Sequence, residues 1–590
     1  MQKRWEILPK PPKEMYEKFP ELPETVVDLL YHRNITTQEA IDEFLHPEYS
    51  KDVHDPFLFK EMKHAVKRIF KAIEKGEKIV VHGDYDADGV SGATILVTTL
   101  RELGAKSLDV FLPHRELDGY GLNSNTVELL SESHTKLIIT CDCGISNKEE
   151  VDLANKKGID VIITDHHTIP EKLPKAEAIL HPKIQGETYP DKNLAGGAVA
   201  FKLAQGLLRK HKEDGKVLES GMSHEAIEKW LLDMVAIASI ADMVPLLGES
   251  RTLTKYGLIV LNKTKRIGLQ KLLLEARLMN DDGSLKNIID ADTIGYKIAP
   301  RINAAGRLQH ANVAYGLMMT TNPIEAVDLA FTLDKNNTER QKITEKCLKE
   351  AIIQIEKNKT EQPILLAFGT EWPSGIVGLM AGKLKDKYGK PALVMTSRGD
   401  EIVGSGRSIS GFNAIESLQE LSEVFAKFGG HPMAFGFTLA PGETVQTLRE
   451  KLTKKYLEKT VGMDLTPILQ IDAEIDLGDV NWELYDILEK FSPFGKDNEK
   501  PKYASMNVTL QNVASLGKDK KHLKIMLQSQ GGKIKQAIGW HMCNDNTPGE
   551  NWCKLLKKGN TVDVAFEIDV NEWNGNRELR LQIIDIKKHE

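Results

Sequence analysis

The sequence predicts an α/β protein of several domains: a mostly parallel sheet covered by helices on both faces, a long helix leading to a second α/β domain, and a small β-barrel at the end. Three observations carry this reading. Strand-like apolar runs alternate with helical stretches between Ile79 and Leu180. Ile324 to Glu356 reads as one charged helix, on the order of 50 Å long at ~1.5 Å per residue, able to hold two domains apart across a cleft. From about Pro467 the pattern changes to short β runs separated by turn signals.

Each element follows from local chemistry. Residues 1–60 read as a helical preface, with Glu24 to Tyr31 and Thr37 to Leu45 as short helices and Pro47 and Pro56 as punctuation. Residues 61–323 form the first α/β domain. Its opening helix places Met62, Ala65, Val66, Ile69, Phe70 and Ile73 on one face and ends at Gly76. A β-branched run at Ile79 to Val81 leads through a turn allowed by Gly83 and Gly89 into a helix over Val90 to Leu103. Further strands are expected at Leu108 to Leu112, Leu137 to Cys141, Val161 to Thr164 and Ala178 to Leu180. A linker helix over residues 324–360 precedes a second domain over 361–461, with strands at Ile364 to Ala367, Ala392 to Met395 and Glu401 to Gly404. Residues 465–590 hold β runs at Ala504 to Leu510, His522 to Leu527, Lys535 to Ile538, Thr561 to Ile568 and Leu579 to Ile586. Trp573-Asn574-Gly575-Asn576 carries the Asn-Gly pair of a tight hairpin.

Composition bounds the function. At 590 residues, 28% charged and 41% hydrophobic, the chain is an ordinary water-soluble protein too long for one core. The start shows no apolar signal segment and no run is long enough to cross a bilayer. Five scattered cysteines argue for a reducing compartment, with cytoplasm the default, and against a disulfide framework. A net charge of −7 exerts no global pull on nucleic acid, so such binding needs a local basic groove.

The stretch Val80-Val81-His82-Gly83-Asp84-Tyr85-Asp86-Ala87-Asp88-Gly89 sets a histidine and three carboxylates at the carboxyl end of a buried strand, where open α/β sheets place their chemistry. Alternation in an extended segment points His82, Asp84, Asp86 and Asp88 one way. Four such ligands repel one another without a cation, so the stretch reads as a metal site. The second strand runs into His114 and Arg115, the third into Asp142, and the fourth into Asp165-His166-His167. A polar loop explains each singly, but not all of them together. Cys141 and Cys143, flanking Asp142, read as small buried side chains. Trp230 to Met243 reads as one buried helix carrying Asp242 near its end, where a carboxylate in the core needs a partner.

These segments resemble the DHH phosphoesterase superfamily, and Pro300-Arg301-Ile302-Asn303-Ala304-Ala305-Gly306-Arg307 resembles its RecJ branch. Ser405-Gly406-Arg407-Ser408 and Gly429-Gly430-His431 resemble the DHH-associated domain; Phe494-Gly495 and Asn571-Glu572-Trp573 resemble the terminal OB-type domain. Departures are Pro373 where a histidine often follows the tryptophan, Phe435 in place of a small residue, and Asp497 and Glu499 in place of glycine and proline. The resemblance implies a single-strand-specific 5′ to 3′ DNA exonuclease that releases 5′-mononucleotides in DNA repair and recombination.

It also implies two divalent cations, Mn²⁺ or Mg²⁺, which mixed carboxylate and imidazole ligation suits. One would be held by His82, Asp86 and Asp142, the other by Asp88, Asp142, His166 and Asp242. His167 would contact the scissile phosphate or assist proton transfer, and Asp84 would orient His82 or a water. Arg115, Arg301, Asn303, Arg307, Ser405, Arg407 and His431 would bind substrate phosphate. Expected partners are single-stranded DNA, a single-strand-binding protein and a helicase, with no membrane and a monomeric state. Rival readings are an enzyme for short oligoribonucleotides, which the C-terminal β-domain argues against, and a non-catalytic replication scaffold, which the full ligand set argues against. Lys518, Lys520, Lys521 and Lys524 offer charge to a strand-binding groove, though such a run is usually a solvated loop.

Overall fold

The structure, a computed structural model, describes residues 3–357, 362–544, 550–573 and 575–589. The chain divides into two compact units, one of residues 42–342 with 492–499, the other of residues 1–41, 343–491 and 500–590. No helix among the described residues is long and apolar enough to cross a membrane.

In the unit built on residues 42–342, five parallel strands lie in the order Leu108–Phe111, Lys78–Gly83, Thr135–Cys141, Asp160–Thr164, Ala178–Leu180. Strand alternation divides the core. Ile79, Val81, Leu137, Ile139 and Ile162 face the helices Met62–Lys75, Ala87–Glu102, Gly196–Glu213 and Leu232–Ala241. Val80, Ile138, Val161 and Ile163 face Ser124–Glu132 and Lys148–Lys156. Burial on both faces explains why these strands read as unbroken apolar runs. The chain leaves the Lys78–Gly83 strand for one neighbour and later returns to the other side of it, so the switch point lies between Gly83 and Cys141.

The helix over Trp230 to Met243 is two helices, His224–Trp230 and Leu232–Ala241, with Asp242 as the C-cap residue of the second. Backbones approach closely on this face. A Cβ on Gly257 would sit 2.3 Å from the Leu232 carbonyl oxygen, and one on Gly92 3.3 Å from the Gly197 Cα.

In the other unit, one sheet orders Phe425–His431, Ala434–Leu439, Glu401–Arg407, Ala392–Arg398 and Leu365–Gly369, with only the last pair parallel. Phe435 packs where the family has a small residue because Gly406 faces it, a Cβ there lying 2.1 Å from the ring. The strands Tyr503–Leu516, His522–Gln528, Ile534–Gly539, Asn576–Lys588 and Thr561–Trp573 pair in that order, and the last pairs back with the first. This closes the barrel. Its hairpin turn includes Asn574, which lies outside the described residues. Pro323–Lys357 is one helix of 35 residues, and the division between the units falls within it. The remainder of the expected linker, 358–360, and residue 361 lie outside the described residues.

Two features depart from the sequence reading. The preface is not wholly helical: Arg4–Ile7 is a strand parallel to Ile468–Ile471, a pairing that four residues cannot announce when the partner lies so far along the chain. Cys543 and Cys553 form a disulfide across a short loop, which neither the cysteine count nor their spacing reveals.

Gly257→Ala should destabilise the unit by ~1–3 kcal/mol, because the new methyl overlaps a backbone oxygen that cannot rotate away. Urea unfolding monitored by circular dichroism checks this; an unchanged midpoint would show that the two helices separate freely.

Candidate metal and phosphate site

The strand ends at Gly83, so alternation governs only His82. The other acids of the first motif are gathered by the turn and the helix that follows it. Asp86 is the N-cap of Ala87–Glu102, its Oδ1 accepting from the backbone N–H of Asp88 and Gly89 at 2.9 and 3.1 Å. Asp88, in the first turn, accepts from Gly196 and Gly197 N–H at 2.8 and 2.6 Å, the start of the Gly196–Glu213 helix. Glycine is needed at both positions: a Cβ on Gly196 would lie 2.5 Å from the Asp142 Cβ, and one on Gly197 2.8 Å from the Ala238 Cβ.

Three overlapping sets of ligand atoms converge, each within 4.8 Å: Asp84, Asp86 and Asp142; Asp142, His166 and His167; and Asp88, His166 and Asp242. Asp142 belongs to two of them, as expected of a bridging carboxylate. His166 Nε2 lies 3.1 Å from Asp142, 3.7 Å from Asp88 and 3.6 Å from Asp242. Asp84 joins the first set, where His82 is expected. His82 is fully buried, stacked on Phe111 with its Nδ1 3.6 Å from Cys143 Sγ. Its Nε2 and Asp84 Oδ1 are buried polar atoms with no hydrogen-bond partner among the described residues. Such atoms are rare without a ligand, so the residues fit divalent cations.

Charge confirms the strain. Burial, then the neighbouring aspartates, pushes Asp84 and Asp142 well above the usual carboxylate range. The same causes raise Asp88 to about 7 and Asp242 to about 8. Burial lowers His82 to about 4, and burial together with His167 lowers His166 to about 3, leaving both neutral and able to ligate. His167 differs. Burial alone would lower it, but the hydrogen bond and charge of Asp165 lift it to about 9. Asp165, opposed by its own burial, is brought down to about 2 by His167 and the Ile145 N–H.

Family comparisons agree with this geometry. Profiles described as DHH family, N-terminal domain, DHHA1 domain and RecJ OB domain match residues 78–239, 361–458 and 471–585. A single-stranded-DNA-specific exonuclease RecJ of Bacillus subtilis is 36% identical over 99% of this chain and 70% of its own length. Its Escherichia coli counterpart is 32% identical over 89% of this chain and 90% of its own. The chain belongs to the RecJ family. The crystal structure of Thermus thermophilus RecJ with Mn²⁺ superposes with a TM-score of 0.80 at 25% identity, covering 100% of this chain and 80% of that one.

The residues expected at RecJ phosphate sites separate into two groups. Arg407 and Ser405 sit together, Arg407 Nη1 donating to Ser405 Oγ at 3.0 Å; no carboxylate pairs with Arg407 among the described residues. Strand register sets His431, Ala434 and Arg407 in line across three strands, with Gly429, Gly436 and Ser405 in the next row. His431 is therefore on the same face as Arg407, ~10 Å away across a floor of small residues. Arg115 lies over the Tyr85 ring at 4.7 Å. Arg307 is half-buried, with Arg115 and Arg340 among the charges acting on it.

Two expectations change. Arg301 is paired with Asp334 at 2.9 and 2.8 Å and donates to the Lys297 carbonyl at 2.7 Å, so its guanidinium is already engaged within the fold. Asn303 Oδ1 accepts from Ala87 N–H at 2.7 Å, and a Cβ on Gly306 would sit 2.5 Å from the Tyr85 carbonyl. This motif positions the acid loop. Sequence reasoning missed Asp165 as the group that charges His167, and Tyr120, whose hydroxyl donates to the Asp142 carbonyl and lies 3.0 Å from His167 Nδ1. The only signal for Tyr120 is its place between Gly119 and Gly121 after the second strand.

The metal-free protein should lose stability as pH rises. Asp88, Asp242 and His167 bind protons more tightly folded than unfolded, so their contribution present at low pH disappears through pH 7 to 9; His82 and His166, depressed on folding, contribute no slope above about 6.5. Thermal melting with EDTA should therefore give a lower midpoint at pH 8.5 than at pH 6.5, and Mn²⁺ should narrow that gap. Equal midpoints in EDTA would contradict the proton count.

Proposed function

We infer that the chain is a single-stranded-DNA-specific exonuclease that hydrolyses phosphodiester bonds with divalent cations. The carrying observation is the set of converging ligand groups that share Asp142 and His166, beside two buried ligand atoms with no hydrogen-bond partner among the described residues. We assign one cation to His82, Asp86 and Asp142, with Asp84 in direct reach, and the other to Asp88, Asp142, His166 and Asp242. Mn²⁺ suits this donor set, with Mg²⁺ as substitute. Bound there, the cations supply Lewis acidity toward phosphate oxygens and a nucleophile at neutral pH.

The side chains do the rest. His167, held cationic by Asp165, offers a charged N–H to a phosphate oxygen or to the departing sugar oxygen. Arg407 and Ser405 suit a 5′-terminal phosphate, because a half-buried guanidinium without a carboxylate partner among the described residues attracts an anion. That grip gives 5′ to 3′ polarity and release of 5′-mononucleotides, in DNA repair and recombination. The barrel over 465–590 would hold the remaining strand by stacking and charge. A single-strand-binding protein and a helicase are the expected partners of a cytoplasmic monomer.

Digestion of end-labelled single strands and blunt duplexes with Mn²⁺ tests the reading: single strands should disappear far faster, and more slowly as salt rises. Asp142→Ala should abolish cleavage while leaving strand binding, because a bridging carboxylate need not touch the bases. Activity retained in that variant would sink the shared-carboxylate arrangement.

Arg407→Ala should lose most of the preference for 5′-phosphorylated over 5′-hydroxyl strands. The same ratio in wild type and variant, or labelled nucleotides leaving first from the 3′ end, would overturn the polarity assignment.

A further inference from the structure

Beyond the metal ligands and the terminal-phosphate pocket, a second basic element borders the acid cluster. Residues 492–499, which arrive from the far end of the chain, pack with the sheet domain. The Leu246 N–H donates to the Lys496 carbonyl at 2.9 Å, and Arg251 Nη2 donates to the Ser492 carbonyl at 2.9 Å. Gly495 lies so close to Leu246 that a Cβ would meet its Cδ1 at 2.7 Å. Buried Asn498 closes the turn by donating its side-chain amide to the Pro493 carbonyl at 2.9 Å. The peptide of Lys496 is thus fixed four residues beyond Asp242. Its side chain is exposed, with no carboxylate partner among the described residues.

Lys183 is near Asp242 as well. Its Nζ donates to the His166 carbonyl at 3.1 Å, and both Asp242 and Lys496 are among the charges acting on it. Two ammonium groups held within each other's field are unfavourable unless an anion comes between them. The fold holds them there with a pinned turn and a backbone hydrogen bond, beside a ligand of the second cation. A surface lysine pair that served only solubility would need neither.

We propose that Lys183 and Lys496 form a phosphate subsite that grips the linkage next to the scissile one in the bound strand. This rests on the nuclease reading above. It adds a residue from the 492–499 loop to the substrate register. A point charge suits the second grip, since each removed nucleotide must be replaced by the next and a bidentate clamp would slow that advance.

The test uses full-length protein, Mn²⁺ and single strands that carry one neutral methylphosphonate at the first, second or third linkage from the degraded end. Wild type should be slowed about tenfold when the linkage adjoining the scissile one is neutral, the size of one charge-assisted hydrogen bond. Lys496→Ala should be slowed by a similar factor on the unmodified strand and should lose most of that sensitivity, while Lys496→Arg, which keeps the charge, should restore the sensitivity to the neutral linkage without restoring the full rate. Because the side chain is exposed, Lys496→Ala should melt with wild type, which separates loss of contact from loss of fold. Unchanged rates in Lys496→Ala, or a variant as sensitive as wild type to the neutral linkage, would overturn the subsite. If wild type fails to degrade even unmodified strands, the nuclease reading fails instead.

Discussion

Five aspartates, Asp84, Asp86, Asp88, Asp142 and Asp242, are brought to one end of a buried parallel sheet, and their mutual repulsion is the constraint to which the surrounding structure answers. Burying like charges costs more than any single local contact returns. The fold limits this cost in two ways and leaves two imidazoles uncharged as candidate ligands. Backbone N–H groups at two helix starts point at Asp86 and Asp88. A cationic His167 faces the cluster, held charged by Asp165. Burial keeps His82 and His166 neutral, so they add no competing charge of their own. What remains is a negative pocket completed by divalent cations, so the protein carries an affinity for metal as a direct consequence of its packing.

The arginines show how the same residue type serves two ends. Arg301 places its Nε and Nη2 on one carboxylate oxygen, Asp334 Oδ1, so its charge already has a partner within the fold. Arg407 meets Ser405 and the Gly406 carbonyl, none of which neutralises it. A half-buried guanidinium left with neutral acceptors keeps its attraction for an anion, and Gly378 keeps the space beside it open: a Cβ there would sit 3.2 Å from Arg407 Nη2.

Much of this was legible in the residue order, and where it was not the reason is physical. The sheet strands announced themselves because both faces are buried, and all the candidate carboxylates except Asp242, which ends a helix, followed such a run. The grouping of Asp84 with Asp86 and Asp142 was not legible, because alternation holds only while the chain stays extended and the strand stops at Gly83. The roles of Gly196 and Gly197 were hidden in what reads as an ordinary helix start; only the approach of Asp88 and Asp142 from distant segments makes glycine necessary there. Asn303 and Arg301 are expected at phosphate from a motif, and the structure shows the contacts they make within the fold. A motif marks proximity to the chemistry without saying which side chains touch substrate.

The backbone at Asp142 carries the last step of this logic. Cys141 faces the helical layer that holds Ala93 and Ala198, so an extended continuation would send Asp142 toward the opposite layer, away from Asp88. Instead Asp142 takes a left-handed conformation, φ 60°, which aspartate tolerates better than most side chains. The turn is held on both sides: the Asp142 N–H donates to the Thr164 carbonyl at 3.0 Å, and the Tyr120 hydroxyl donates to the Asp142 carbonyl at 3.0 Å. Met243, next to Asp242, is left-handed as well, at φ 57°. One candidate ligand, Asp142, and the neighbour of another, Asp242, thus sit at unfavourable backbone positions, the pattern expected where the geometry of a metal centre outranks local conformational preference.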